Sequence, residues 1–150
     1  MKDRASMLVD LVNENPGLHF SKILEITGMK NGVLAHYAKK LESDGKLRIH
    51  KENNRSYFFS PEISLDFIPI VIYLRKSTPK SILLSLKNEN GLNFKKIVKI
   101  VGKSPPTVSQ NLTKLLKSGL IELKLEDNEK KYFLIKNQLM LDLIKKYSFQ

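Results

Sequence analysis

Apolar residues at Met7, Leu8, Leu11 and Val12 recur at helical spacing, and Asn15-Pro16-Gly17 ends the helix they predict. A short second helix runs from Ser21 to Ile26 and stops at Gly28, which can close a helix in the left-handed conformation. A third helix sets Leu34, Ala38 and Leu41 on one face and ends at Asp44-Gly45. Lys46 to Lys51 and Ser56 to Ser60 then read as short strands around the turn Glu52-Asn53-Asn54-Arg55. The same order of elements returns further on. Helices are predicted over Lys80 to Asn88, Phe94 to Val101 and Pro105 to Ser118, then strands around Leu120 to Leu125 and Lys131 to Ile135.

This return is a repeat in register. Gly28 and Gly102 lie 74 residues apart, as do Gly45 and Gly119. At the same offset Gly17-Leu18 matches Gly91-Leu92, Phe20 matches Phe94, and Lys22-Ile23 matches Lys96-Ile97. Ile26 matches Ile100 and Lys40-Leu41 matches Lys114-Leu115, while the apolar class is kept at Leu8/Ile82, Val12/Leu86, Leu34/Val108 and Leu47/Ile121. Ungapped agreement of glycines and apolar positions reads as two copies of one unit. Helix, helix, turn, helix and β-hairpin is the winged-helix order. The expected fold class is therefore mainly α with small β-hairpin wings (α+β), as two tandem winged helix-turn-helix domains over 1–60 and 79–136.

Two segments fall outside the repeat. Residues 61–78 form a connector containing Phe67-Ile68-Pro69-Ile70-Val71-Ile72-Tyr73-Leu74. Pro69 and the β-branched residues argue against a clean helix there, although one beginning at Pro69 is open. So apolar a stretch is expected to pack between the domains or against a second subunit. Residues 137–150 place Leu139, Leu143, Ile144 and Tyr147 at helical spacing, with Lys145 and Lys146 on the other side. That helix either caps its own domain or dimerises, so a homodimer through the connector or the C-terminal helix is one expectation.

The sharpest motif runs from Gly102 through Lys103-Ser104-Pro105-Pro106-Thr107-Val108-Ser109-Gln110-Asn111-Leu112 to Leu115 and Gly119. Val108, Leu112 and Leu115 sit at i, i+4 and i+7 and point into a core. Ser104 can cap the helix with Pro105 at its first position. The polar run Thr107, Ser109, Gln110, Thr113 and Lys114 is poor for helix stability but suits phosphates and base edges. This stretch resembles the recognition-helix signature of winged helix-turn-helix regulators of the MarR/ArsR type, in which a Thr-Val-Ser tract opens the DNA-reading helix. Tandem pairs whose first domain starts near an Asn-Pro-Gly-Leu-His-Phe tract are similar to a group of predicted archaeal regulators. The first copy departs from the pattern, with Val33 and Ala35 where Thr and Ser stand in the signature.

The resemblance implies double-stranded DNA as partner and a set of contact residues. The second recognition helix would present Ser104, Thr107, Ser109, Gln110, Thr113 and Lys114, with Lys103 before it and Lys95 and Lys96 on the preceding helix. The first would present Lys30, Asn31, His36, Tyr37, Lys39 and Lys40. Arg55 at the first wing tip suits a minor groove, with Lys51 nearby. The second wing turn, Glu126-Asp127-Asn128-Glu129, is acidic, which leaves Lys130 and Lys131 to reach the backbone.

Composition agrees with that partner without deciding it. The chain has 150 residues, 26 Lys+Arg against 15 Asp+Glu, and a net charge of +11. Residues 1–60 hold 10 basic and 7 acidic side chains, and residues 79–150 hold 14 and 6, so the second copy carries more of the excess. The chain has no cysteine, hence no disulfide, thiol nucleophile or thiolate metal site. His19, His36 and His50 have no carboxylate at metal-ligand spacing, and His19 reads as a capping or packing residue. No catalytic constellation, cofactor motif, signal peptide or membrane-spanning run is evident. The expectation is a cytoplasmic, non-enzymatic DNA-binding regulator without cofactor. The alternative is a winged-helix adaptor that binds protein, and RNA is a third, weaker option.

Overall fold

The structure is a computed structural model that describes residues 3–135 and 137–146. The chain divides into two compact units, Met1–Ile72 and Tyr73–Gln150. Among the described residues it forms eight helices and five strands, a mixed α+β arrangement consistent with a winged helix-turn-helix.

The first unit begins with α1 (Arg4–Glu14), which Asp3 caps by accepting the Ser6 N–H at 2.8 Å. Strand β1 (Leu18–His19), α2 (Phe20–Thr27), α3 (Asn31–Ser43), β2 (Arg48–Glu52) and β3 (Arg55–Phe59) follow. Leu8 and Val12 of α1, Ile23 of α2, and Leu34, Ala38 and Leu41 of α3 meet Leu18, Leu47 and Phe58 in one core. The sheet order is β1-β3-β2, all antiparallel. β1 is not evident from the sequence. Its two residues are too few to show a period, and pairing of Leu18 with Phe58 creates it. β3 buries Tyr57, Phe58 and Phe59, so both its faces are covered.

Residues 67–74 of the connector are helical. Helix α4 (Phe67–Leu74) includes Pro69 in its first turn, where an N–H would have no helical partner to lose. The β-branched run that argues against a clean helix is overridden by burial of Ile68, Ile70, Val71, Ile72 and Leu74. The division between the units falls within this helix.

The second unit holds α5 (Ser77–Asn88), α6 (Phe94–Val101), α7 (Pro105–Ser118), β4 (Ile121–Glu126), β5 (Glu129–Leu134) and α8 (Asn137–Lys146). Ile82 and Leu86, Ile97, then Val108, Leu112 and Leu115 are buried with Leu92, Leu120, Ile121 and Leu134. A single bridge, Leu92 to Tyr132, stands where the first unit has β1. On α8, Met140 and Leu143 are buried. Tyr147 and the side chains of Leu139 and Ile144 lie outside the described residues.

The backbone repeats the 74-residue offset more fully than the residue identities do. Among the described residues, positive φ occurs at Gly17 and Gly91, Gly28 and Gly102, Gly45 and Gly119, Asn53 and Asp127, Asn54 and Asn128. Each pair is one offset apart. The last two pairs are the central residues of two-residue hairpin turns, both with left-handed φ, as the twist of the flanking strands favours.

Gly91 combines φ +96° with a position where an added Cβ would lie 2.8 Å from Cε1 of Phe133. Gly102 has φ +71° and open space around it. Gly102→Ala should cost about 1–2 kcal/mol for the backbone alone. Gly91→Ala should cost about 1–3 kcal/mol more, because the ring must also move. Urea unfolding of both variants checks this, and equal losses would show that Phe133 yields freely.

Candidate nucleic-acid interface

The polar face of α7 follows from what its other face buries. With Val108, Leu112 and Leu115 inward, Ser109, Gln110, Thr113 and Lys114 are carried outward and exposed. Ser104 caps the helix, its Oγ accepting the Thr107 N–H at 3.3 Å and donating to Thr107 Oγ1 at 2.9 Å. Thr107 is half-buried, and its carbonyl accepts from Asn111 Nδ2 at 2.8 Å. Thr113 Oγ1 donates to the Ser109 carbonyl at 3.0 Å. Ser104, Thr107 and Thr113 are thus engaged within the helix. Gln110 and Lys114 have no side-chain partner among the described residues. Before this helix, Lys103 is exposed in the turn, and Lys95, Lys96 and Lys99 are exposed along α6.

Residues 77–122 match the family described as bacterial regulatory protein, arsR family. The match takes in α5, α6, α7 and the first two residues of β4. The chain is also similar to an uncharacterized HTH-type transcriptional regulator of Methanocaldococcus jannaschii. Identity is 25% over 134 residues, which is 89% of this chain and 34% of that relative. The chain therefore spans about a third of the relative's length.

The first unit presents a different surface. Lys30 takes the N-cap position of α3 and makes no side-chain cap bond, since an ammonium cannot accept one. Asn31, His36, Lys39 and Lys40 are exposed. Tyr37 is not a free surface residue. It is half-buried against the core, and the His36 ring meets it edge-on at 5.7 Å. Lys51 and Arg55 are exposed on the hairpin.

The joint between second helix and wing inverts its charge between the two units. In the first, His19 caps α2, its Nδ1 accepting the Lys22 N–H at 3.1 Å, and Arg55 lies close enough to act on it electrostatically. In the second, Asn93 caps α6 by accepting the Lys96 N–H at 2.8 Å, and its amide donates to Glu129. His19 and Asn93 are one offset apart, and so are Arg55 and Glu129. Glu129 is thus tied to the cap, which gives the acidic wing a structural role hidden from sequence because its partner is 36 residues away. The remaining cations of that wing are largely matched. Lys131 Nζ is 3.1 Å from Glu126, a bond that raises its pKa, and Lys124 is 2.8 Å from Glu122. Lys130 is exposed at the tip.

Partial burial, then the charge of Arg55, hold the His19 pKa below its ordinary value. The unfolded chain therefore takes up the proton more readily than the folded one. Stability from the neutral cap is complete above the ordinary histidine range and is lost as pH falls through it. Between about pH 7.5 and about pH 5 the wild type should lose more stability than His19→Asn, which caps without titrating. Parallel unfolding curves for the two proteins across that range would contradict this. Ser104→Ala should cost about 1 kcal/mol by thermal or urea unfolding, while Ser109→Ala, which removes no cap, should cost less.

Proposed function

We propose that this chain is a DNA-binding transcription regulator with two winged helix-turn-helix domains, over 1–60 and 79–136, joined by 61–78 and followed by a C-terminal helix. The observation that carries the reading is the exposed Ser109, Gln110, Thr113 and Lys114 face of α7, opposite its buried stripe. The match of 77–122 to a regulatory family and the likeness to an HTH-type transcriptional regulator support it.

In this reading α7 lies in a major groove. Gln110 reads base edges, with Ser109 and Thr113 beside it, and Lys114 neutralises a phosphate. Ser104 and Thr107 hold the helix start in shape, and Lys95, Lys96 and Lys103 meet the backbone on the approach. The second wing contributes little, because Glu126, Asp127 and Glu129 would face phosphates. The first domain works the other way round. Its helix carries Val33 and Ala35 where the second carries Thr107 and Ser109, so base reading by α3 is poor. Lys30, Asn31, Lys39 and Lys40 bind phosphates while Arg55, with Lys51, enters a minor groove.

A protein-adaptor role is favoured by one observation, the exposure of Leu123 and Leu125 on β4, the latter by 72%. Binding to random duplex and to the DNA upstream of the protein's own coding region, across a salt series, separates the readings. A regulator prefers the specific duplex and loses affinity linearly in log salt. An adaptor binds neither duplex appreciably even at low salt. Gln110→Ala should relax base preference with little change in salt slope. Lys114→Ala should weaken all sequences evenly and lower the slope by about one unit. Equal effects of both on every sequence would remove the base-reading role from Gln110.

A further inference from the structure

Helix α7 offers few side-chain groups that are free to read a base, and their chemistry narrows what it can read. Its 14 residues, Pro105–Ser118, include no aspartate, glutamate or arginine. A carboxylate would accept from the N4 amino group of cytosine, and an arginine fork would fit O6 and N7 of guanine. Neither reader is present on this helix. Lysine can also meet guanine, but Lys114 and Lys117 stand in the C-terminal half of α7, whereas a helix in this docking mode puts its N-terminal residues against the base edges.

Most of the remaining polar groups are already committed. The Ser104 hydroxyl is bound to Thr107, and the Asn111 amide donates to the Thr107 carbonyl. The Thr113 hydroxyl donates to the Ser109 carbonyl at 3.0 Å, so what this exposed residue has left to offer a ligand is its methyl group. Ser109 keeps one exposed hydroxyl, which suits any base. Gln110 is different. Its carboxamide holds a donor and an acceptor side by side in one plane, exposed and with no side-chain partner among the described residues. Adenine presents the matching pair in the major groove, the N6 amino group as donor and N7 as acceptor. Guanine offers two acceptors there and cytosine a single donor, so neither takes both bonds. At Gln110's offset the first unit has His36, whose two ring nitrogens point apart and cannot close on one base edge together.

We propose that α7 selects adenine, with Gln110 bonded to N6 and N7, beside a thymine whose C5-methyl packs on the methyl of Thr113. Gln110 and Thr113 lie three residues apart and are neighbours on the helix surface, so the two bases lie close together in the site. The first unit has the same preference by another route. Arg55 is exposed on its wing, and the narrow minor groove that draws arginine is a property of A·T runs. The favoured duplex is therefore rich in A·T, with adenine the base read by a pair of bonds. The inference rests on α7 lying in a major groove, as proposed above, and specifies which bases it meets there.

Selection of binders from a random duplex library, by the full chain and by Gln110→Ala, tests the assignment. Gln110 is exposed, so the variant should fold. The wild type should select a motif with a fixed adenine, and Gln110→Ala should lose the preference at that position while keeping the rest. In a selected duplex, 7-deazaadenine at that position removes only the N7 acceptor. It should weaken the wild type about fivefold, as one lost hydrogen bond does, and leave Gln110→Ala unchanged. Deoxyuridine in place of the neighbouring thymine removes only the methyl group. It should weaken the wild type about threefold and leave Thr113→Ser unchanged, since that variant keeps the hydroxyl bond to Ser109 and lacks the methyl. A motif in which Gln110→Ala alters no adenine, or a deazaadenine loss equal in both proteins, overturns the adenine assignment while sequence reading stands. Equal deoxyuridine losses in wild type and Thr113→Ser remove the thymine contact. A chain that selects no sequence overturns this inference together with the reading beneath it.

Discussion

In α7 the side chains of Val108, Leu112 and Leu115 go into the core, and in α3 those of Leu34, Ala38 and Leu41 do the same. The rest of each unit is arranged around that burial. Three apolar residues on one helical stripe settle the rotation of the helix about its axis, and the rotation decides which residues face outward. The second helix must then cross close by, which places the left-handed turns at Gly28 and Gly102 before the third helix begins. The outward face is thus a consequence of the inward one. Any surface chemistry at Ser109, Gln110 or Lys114 is as rigidly aimed as the core beneath it is packed.

The duplicated backbone carries side chains that have diverged. Left-handed positions coincide through Gly17/Gly91 to Asn54/Asn128, yet the joint between second helix and wing pairs a histidine cap with Arg55 in one unit and an asparagine cap with Glu129 in the other. The cap is preserved as geometry, and its charge is free to change because Asn and His both offer one acceptor to an orphan N–H. The α1 face that lines a groove with Met29 and Val33 shows the same freedom. Serines on α5 stand where α1 has Met7 and Leu11. One backbone thereby carries an exposed polar helix face in one unit and basic or apolar surfaces in the other, with no change of architecture.

Much of this was legible from the chain alone. Periodicity located α1, α2, α3, α5, α6 and α7, because burial of one stripe imposes a 3.6-residue period that local sequence displays directly. The helix-ending glycines and the Asn53-Asn54 and Asp127-Asn128 turns were visible for a related reason. Positive φ is a local demand that few residue types meet. The face of α7 came out of the same stripe. Other features required the tertiary structure. Residues 67–74 carry a proline and β-branched residues that disfavour a helix locally, and burial of Ile70, Val71 and Leu74 decided otherwise. Tyr37 stands among exposed residues in sequence, yet packs on the core. β1, the Asn93–Glu129 bond and the groove walled by α1 and Met29 each join residues far apart in the chain. What the sequence determined by itself is what a single helix or turn can enforce through its own period and dihedral angles. What the tertiary structure decided is which distant groups meet, because the free energy of those contacts arises only when both partners leave water together.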